Sequence, residues 1–255
     1  MTTFPYPEVV AAARQAGQIL MEYYLKPIAV QEKADHSPVT EADLAAQAHI
    51  QSVLARVCPE IPVISEEAPL PNYVERQHWP RFWLVDPLDG TKEFLHQNGE
   101  FTVNIALIEK GVPTLGIIYA PALEQLYVGS REVGSWRECA DGQLTRLICQ
   151  RKALSEPLRM VSSRSHPSAE LEQWAREHHI IAQIPVGSSL KFCRVAEGVA
   201  DVYVRFHSIR EWDVAAGDAI YRYATLEGAH PSALHYNTTD LRTPAFIIGA
   251  TEISP

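Results

Sequence analysis

Two aspartates stand three positions apart where an apolar run ends, in the segment FWLVDPLDGTKEF at positions 82–94. Asp-Pro and Asp-Gly are common turn dipeptides, so an ordinary turn is one interpretation. Pro87 favours an extended conformation for Asp86, which would hold that carboxylate at the end of a buried strand. Gly90 lets the chain turn, and Thr91 is predicted to cap a helix whose free N–H groups attract an anion. Two carboxylates beside such a helix start indicate a site that also holds a cation.

The composition is that of an ordinary globular protein. A chain of 255 residues with 46% apolar residues is long enough for one large domain or two smaller ones. No apolar stretch approaches the ~20 residues that cross a bilayer, so no transmembrane segment is expected. The N-terminus also lacks the basic and apolar regions of a secretory signal. The four cysteines are scattered without a CxxC pair, which argues against a zinc site or a disulfide framework and favours a reducing cytosol.

The net charge of −9 limits the classes of partner. An acidic protein without a basic run repels a nucleic-acid polymer, so DNA and RNA are not expected partners. A small phosphorylated molecule remains compatible with this charge, because bound divalent cations reverse the local sign of an acidic pocket.

The pattern of apolar residues predicts two halves, 1–155 and 156–255, in an α+β arrangement of layered sheets and helices. The first half is predicted to contain helices over 7–25 and after Thr40, short buried strands over 61–65 and 82–85, and an antiparallel meander over 101–137. The second half alternates. Its predicted strands are 159–163, 180–186, 201–206 and 245–250, and its predicted helices are 167–178, 189–198 and 214–226.

Four further acids stand near predicted element ends, and each has an ordinary structural interpretation. Glu66 and Glu67 follow a short apolar run, although surface glutamates are common. Asp43 stands three residues after Thr40, which is the spacing of a capping box. Asp213 precedes an Ala-rich helical stretch, where it would be an N-cap. With the pair at 86 and 89 they offer the oxygen-only ligands that Mg²⁺ prefers, and the combination predicts a magnesium site if the fold brings them together.

The segments SEE, WLVDPLDGTKEF and EWDVAAG, in this order and with these separations, resemble the signature of the inositol monophosphatase superfamily of magnesium-dependent, lithium-sensitive phosphatases. The flanking segments DHSPVTEAD, NGEFTVNIALI, GIIYAP, SSRSH and GSSLKFCRVAEG resemble the bacterial 3′(2′),5′-bisphosphate nucleotidases of sulfate assimilation. The resemblance covers most of residues 30–220, whereas the tail TLEGAHPSALHYN departs from the family pattern. It implies the layered α/β/α/β/α sandwich of that superfamily.

The resemblance also implies roles for particular residues. Two or three magnesium ions would be held by Glu66, Asp86, the carbonyl of Leu88, Asp89 and Asp213. The catalytic residues would be Asp43, Thr91 and Glu66, with the first two orienting and deprotonating the attacking water. The residues that bind substrate would be Gly90, Thr91, Arg164, Ser188, Lys191, Arg205 and Asp213.

The cations among these residues bear on the choice of substrate. Taken alone, Arg164, Lys191 and Arg205 are better explained as solvated surface charges. In the nucleotidases, the positions that match Ser188, Lys191 and Arg205 contact the nucleotide and its second phosphate, which an inositol phosphatase does not need. The implied reaction removes the 3′-phosphate of adenosine 3′,5′-bisphosphate to give AMP, with 3′-phosphoadenylyl sulfate as a second substrate.

Two other functions stay open at this point. One is an inositol monophosphatase or broad sugar phosphatase of the same fold, and the other is a non-catalytic regulator that binds metal and nucleotide. We expect a monomer or homodimer in the cytoplasm, either free or peripheral on the cytoplasmic face of the inner membrane.

Overall fold

The computed structural model describes residues 3–26, 30–32, 38–165 and 168–251. Its helices are α1 (Pro7–Tyr24), α2 (Glu41–Val57), α3 (Tyr73–Arg76), α4 (Thr91–Leu95), α5 (Ala169–Glu177), α6 (Leu190–Ala196) and α7 (Glu211–Arg222). Its strands are β1 (Val30–Glu32), β2 (Pro38–Thr40), β3 (Val63–Ser65), β4 (Arg81–Asp89), β5 (Thr102–Glu109), β6 (Val112–Ala120), β7 (Gln125–Ser130), β8 (Gly134–Glu138), β9 (Leu144–Leu147), β10 (Leu158–Ser163), β11 (Ile180–Val186), β12 (Val202–Arg205) and β13 (Phe246–Ile248).

A seven-stranded sheet in the order β3 to β9 forms the larger layer. β3 and β4 are parallel, and each later pair is antiparallel. Side chains of β4 alternate between two cores: Trp83 and Val85 pack with α1 and α2, whereas Phe82 and Leu84 pack with α6 and α7. Both faces of the sheet are therefore covered, which explains why β4 reads as a continuous apolar run.

The second sheet has four strands in the order β11-β10-β12-β13. β10 is parallel to both β11 and β12, and β13 is antiparallel to β12. Val161 and Tyr203 point into the core that contains α6 and α7, whereas Met160 and Val202 pack against Trp174 of α5. The layers are thus α1 and α2, the seven-stranded sheet, α6 and α7, the four-stranded sheet, and α5. The predicted α/β/α/β/α sandwich is confirmed.

Most predicted elements are present, with shifted ends. The capping box at Thr40 is confirmed, because its hydroxyl accepts from the N–H of Ala42 and Asp43 accepts from the N–H of Thr40. The predicted cap at Thr91 is wrong. Gly90 occupies the N-cap in a left-handed conformation with φ of 86°, which glycine adopts without steric cost, and Thr91 is the first residue of α4.

Helix α7 also begins earlier than predicted, so Asp213 is not an N-cap. Arg210 is the N-cap, and Asp213 lies in the first turn of the helix. The buried carboxylate of Glu211 accepts hydrogen bonds from the backbone N–H groups of Asn237 and Thr238, each at 2.8 Å, which fixes this start. The predicted start of another helix at residue 167 lies outside the described residues. None of the helices in the described ranges is long and apolar enough to cross a membrane.

Candidate functional site

A cavity of about 410 Å³ opens where the ends of β4 and β12 meet the first turns of α4, α6 and α7. Both sheets therefore contribute to its wall. The polar residues of its lining include Glu66, Asp86, Asp89, Thr91, Lys92, Glu93, Ser163, Ser188, Ser189, Lys191, Arg205 and Asp213.

Three carboxylates converge in this cavity. Glu66 follows β3, Asp86 lies within β4, and Asp213 lies in the first turn of α7. Each offers one oxygen, and these oxygens lie within 4.8 Å of one another. Asp86 is only 1% exposed, so its carboxylate has little access to bulk water. We call these three residues the carboxylate cluster.

The electrostatics of the carboxylate cluster favour a bound cation. Burial raises the pKa of Asp86 well above its usual range, and the neighbouring charges of Glu66, Asp89 and Asp213 raise it further. Burial likewise raises the pKa of Asp213, with Asp89 and Glu66 adding to the effect. A divalent cation with oxygen ligands would remove this repulsion, and the donors here are all hard oxygens. The residues present therefore fit the magnesium that the sequence predicts.

Asp89 lies beside the cluster at an irregular end of β4. The register of β4 against β5 shifts between Asp86 and Asp89, and the N–H of Leu88 turns back to donate to Asp86 at 3.0 Å. The Oδ2 of Asp89 accepts from the N–H of Ser189 at 2.6 Å. Burial raises the pKa of Asp89, although Lys191 and the Ser189 N–H oppose that effect. The shift in register thus turns two carboxylates of one strand toward the same cavity.

Two predicted catalytic residues are placed on different helices. Thr91 lines the cavity together with Gly90 at the start of α4. Asp43 is buried in the first turn of α2, where its Oδ2 accepts from the backbone N–H of Thr40 at 2.8 Å and from the Thr40 hydroxyl at 2.6 Å. The pairing of Asp43 with Thr91 across the attacking water stays a prediction.

The predicted contacts to a second phosphate lie near a strained turn at positions 187–189. Ser188 has a left-handed φ of 53°, which is costly for a residue other than glycine. Lys191 is 8% exposed, and its Nζ donates to the carbonyl of Ser188 at 2.5 Å. Arg205 ends β12, where its Nε donates to the carbonyl of His207 at 3.1 Å. Ser188, Lys191 and Arg205 all line the cavity, so three predicted substrate contacts are brought together with the carboxylates.

Arg164 is placed differently from the other predicted cations. Its Nε and Nη2 donate to the two carboxylate oxygens of Glu100 at 2.7 and 2.8 Å, and Nη2 also donates to the carbonyl of Pro185 at 2.8 Å. The guanidinium is thereby paired with a carboxylate of the chain itself.

Comparison with known proteins places this geometry in a family. The model of the inositol monophosphatase family matches residues 6–230. The 3′(2′),5′-bisphosphate nucleotidase CysQ of Escherichia coli K12 is 48% identical over 226 residues, which is 88% of each chain. The chain belongs to the inositol monophosphatase family. Phosphatases of this family are metal-dependent, and the carboxylate cluster is where this member offers metal ligands.

Solved structures of the family agree with the fold. The crystal structure of CysQ from Bacteroides thetaiotaomicron is 35% identical and superimposes with a TM-score of 0.79, covering 96% of this chain and 97% of that one. An IMPase of Thermotoga maritima is 25% identical with a TM-score of 0.71, covering 84% and 81%. The layered sandwich is thus shared with both the CysQ and the IMPase structures.

Several residues of this family member's site were not singled out from the sequence. Thr102 and Asn104 are fully buried polar residues of β5, and their side chains contact the hydroxyl of Ser189 at 2.8 Å each. Glu93 is buried beside the cavity and accepts a hydrogen bond from the hydroxyl of Ser165. Polar residues that interrupt the apolar run of β5 were a signal for the first two, since buried polar groups need partners.

Proposed function

We propose that the protein is a 3′(2′),5′-bisphosphate nucleotidase that removes the 3′-phosphate of adenosine 3′,5′-bisphosphate to give AMP and phosphate. The observation that carries this proposal is that one cavity contains both the carboxylate cluster and the cations Lys191 and Arg205. A monophosphate substrate needs no cation beyond the reacting centre, whereas a bisphosphate brings a second dianion. The similarity to nucleotidases named CysQ supports the same substrate class.

The proposed cofactor is Mg²⁺, with two or three ions held by Glu66, Asp86, the Leu88 carbonyl, Asp89 and Asp213. When bound, magnesium neutralises the charge that develops on the phosphoryl group. Asp213 is the one ligand from the second half of the chain, so a complete set requires α7 to stay packed against the larger sheet.

The residues of the chain would then position the reactants. Asp43 and Thr91 hold the attacking water and take its proton, with Glu66 as a further catalytic carboxylate. The water oxygen forms the new bond to phosphorus, the bond from phosphorus to the 3′ oxygen breaks, and the leaving oxygen takes up a proton from solvent. The N–H groups of Gly90 and Thr91 orient the phosphate that leaves, because they belong to the start of α4 at the cavity wall.

The second phosphate would be held by Lys191 and Arg205, with Ser188 beside them. The proposal includes 3′-phosphoadenylyl sulfate as a second substrate, since it carries the same 3′ ester. We place the protein in the cytoplasm, in agreement with four cysteines that are all free thiols.

The test compares phosphate release from adenosine 3′,5′-bisphosphate and from inositol 1-phosphate in the presence of magnesium. We expect a strong preference for the bisphosphate. Lys191→Ala and Arg205→Ala should each raise KM for the bisphosphate by roughly tenfold to a hundredfold, because hydrogen bonds to charged groups are lost. The same variants should leave kcat/KM for inositol 1-phosphate almost unchanged. A wild-type preference for inositol 1-phosphate would instead favour an inositol phosphatase.

A further inference from the structure

Two loops of the second half are hydrogen-bonded to one carboxylate of the first half. Glu100 lies between α4 and β5, and its carboxylate accepts from the Arg164 guanidinium through both oxygens. The Oε2 of Glu100 also accepts from the N–H of Gly187 at 2.7 Å. Arg164 in turn donates to the carbonyl of Pro185 at 2.8 Å. We call the Arg164–Glu100 pair, with its bonds to Pro185 and Gly187, the interloop clamp.

The contact at Gly187 is too close for any side chain. A Cβ at this position would lie 2.7 Å from the Cγ of Glu93 and 2.9 Å from the Cβ of Glu100. Burial would raise the pKa of Glu100, but the hydrogen bonds from Arg164 and Gly187 lower it, so this carboxylate is ionised at neutral pH. The interloop clamp therefore fixes the start of the strained turn with a charged pair and a close backbone contact.

The other end of the turn has separate supports. The hydroxyl of Thr102 lies 2.7 Å from the Ser188 hydroxyl and 2.8 Å from the Ser189 hydroxyl. Ser189 is further held by Asn104 and, through its N–H, by Asp89. Loss of the interloop clamp would leave the bonds of Ser189 in place, because none of them involves Glu100 or Arg164. The bond from the Ser189 N–H to Asp89 therefore does not depend on Glu100.

We propose that Glu100 and Arg164 are positioning residues for the uncleaved phosphate, which hold Ser188 and Lys191 in place rather than contacting the substrate. This inference rests on the proposed nucleotidase function. Lys191 donates to the Ser188 carbonyl, so the position of the turn at 187–189 determines where the ammonium group lies. The guanidinium of Arg164 has its charge neutralised and two of its nitrogens occupied by Glu100, which leaves it poorly suited to bind a phosphate directly.

A double-mutant cycle distinguishes positioning from direct contact. Kinetics on adenosine 3′,5′-bisphosphate are measured for the wild type, Glu100→Ala, Arg164→Ala and the double variant. We expect each single variant to raise KM by about tenfold, the loss typical of one charge-assisted interaction, with kcat unchanged. The double variant should be no worse than either single variant, because both changes remove the same clamp.

Direct contact predicts a different pattern. If Arg164 binds the phosphate itself, Glu100→Ala frees the guanidinium and KM stays level or falls, while Arg164→Ala raises KM in either background. That result would overturn the proposal. Glu100→Gln is a milder variant that keeps an acceptor for the Gly187 N–H but loses the charge, and it should raise KM by less than Glu100→Ala.

The matched control is the pair Arg14 and Glu138, which join at 2.6 Å with similar exposure and link α1 to β8. Arg14→Ala and Glu138→Ala should leave KM at the wild-type value; a rise equal to that of the clamp variants would mean a general loss of stability. The wild type is assayed first on both the bisphosphate and inositol 1-phosphate. Preference for the latter refutes the proposed function, whereas a bisphosphate preference with a cycle that shows direct contact refutes only the positioning role.

Discussion

At the residue scale, the carboxylate cluster lowers the stability of the metal-free protein, and the same carboxylates favour a bound cation. The raised pKa values of Asp86 and Asp213 mean that ionising these groups costs free energy in the metal-free protein. The strained φ of Ser188 lies in the wall of the same cavity. Such departures from local preference are typical of functional sites, where the surrounding fold supplies the compensation.

Asp86→Asn separates these two effects. Loss of a residue that supports a metal ligand typically lowers activity about 10–100-fold. Because Asp86 is a proposed ligand itself, we expect turnover with magnesium to fall by more than that. The pKa of Asp86 is raised in the folded state, so ionisation of its carboxyl group destabilises the fold. This loss of stability is absent below the unfolded pKa and complete once pH exceeds the folded pKa. In EDTA at pH 7 the variant should therefore melt above the wild type, and the gain should shrink toward pH 4. Glu75→Gln, at an exposed acid, is the control for both measurements.

A metal-free Asp86→Asn protein that melts below the wild type at pH 7 would contradict the electrostatic argument. Near-normal turnover at limiting magnesium would contradict the assignment of Asp86 as a ligand.

Thr91→Val tests the proposed handling of the attacking water. The valine keeps the shape of the side chain but lacks the hydroxyl, and general-base assistance is typically worth about 10²–10⁴ in rate. We expect kcat to fall within that range while the magnesium concentration for half-maximal rate changes little. Thr145→Val, at an exposed position of β9, should have wild-type kinetics. Unchanged kcat in Thr91→Val would remove Thr91 from the mechanism.

At the element scale, α7 is the component that brings Asp213 to the other carboxylates. The helix packs directly on the larger sheet, since Gly116 of β6 and Gly129 of β7 leave no space for a side chain beneath it. A Cβ at Gly129 would lie 2.5 Å from the Cα of Ile220. These two glycines therefore set the distance between α7 and the sheet whose strand β4 carries Asp86 and Asp89.

Gly116→Ala should push α7 away from the sheet. The new methyl group would meet the carbonyl oxygen of Ala216 and lie 2.7 Å from the Cβ of Ala219, which are parts of a packed helix. Overpacking of this kind costs about 1–3 kcal/mol, and we expect a lower Tm together with a higher magnesium requirement. Gly17→Ala is the comparison, because its new methyl group meets the Tyr119 ring on the face of the sheet that packs against α1, away from α7. An equal rise in the magnesium requirement of both variants would argue against a special role for the α7 contact.

A second contact between elements, that of Asp201 with Arg159, makes the free energy of unfolding depend on pH in the acidic range. Burial alone would raise the pKa of Asp201, but hydrogen bonds from Arg159 and Lys152 lower it to about 2. Asp201 precedes β12 and Arg159 lies in β10, so the bonds join neighbouring strands. The lowered pKa contributes stability that is full above the unfolded value near 3.9 and is lost as pH falls through about 2.

Urea unfolding of Asp201→Asn should show this dependence. At pH 6 the variant should lose about 2 kcal/mol of unfolding free energy relative to the wild type, and about half of that at pH 3. Asp141→Asn, at an exposed turn, is the control. A constant deficit in Asp201→Asn from pH 6 to pH 3 would contradict the role of its ionisation.

The predictions from sequence succeeded where the signal is local. The apolar run of β4 and the capping box at Thr40 depend on neighbours within a few residues. The predicted end of the strand at residue 85 was wrong, because β4 continues to Asp89 and Asp86 lies within it. The starts of α4 and α7 were misplaced, the latter because Glu211 is held by backbone groups 26 and 27 residues further along the chain. The pairing of Glu100 with Arg164 spans 64 residues, so no local pattern reveals it.

At the scale of the whole molecule, the site forms where the two sheets approach each other through one shared core. That core contains Phe82 and Leu84 of the larger sheet, Phe192 and Ile220 of the helices between the sheets, and Phe246 of the smaller sheet. The seven-stranded sheet lies in the proposed half 1–155 and the four-stranded sheet in 156–255, yet the carboxylate cluster draws residues from both halves. Binding of a cation should therefore stabilise the molecule as a unit.

Magnesium should accordingly raise a single melting transition of the whole chain. A ligand at 100 times its Kd adds about 2.7 kcal/mol to the native state, which for a chain of this size raises Tm by about 5–10 °C. Scanning calorimetry of the wild type with and without magnesium measures the shift, and potassium at equal ionic strength is the control for salt. Asp213→Asn should lose most of the shift, because it removes the ligand that α7 is proposed to supply, whereas Glu75→Gln should keep it. Two transitions, of which only one moves with magnesium, would show that the halves unfold separately and that the cation is held by one of them alone.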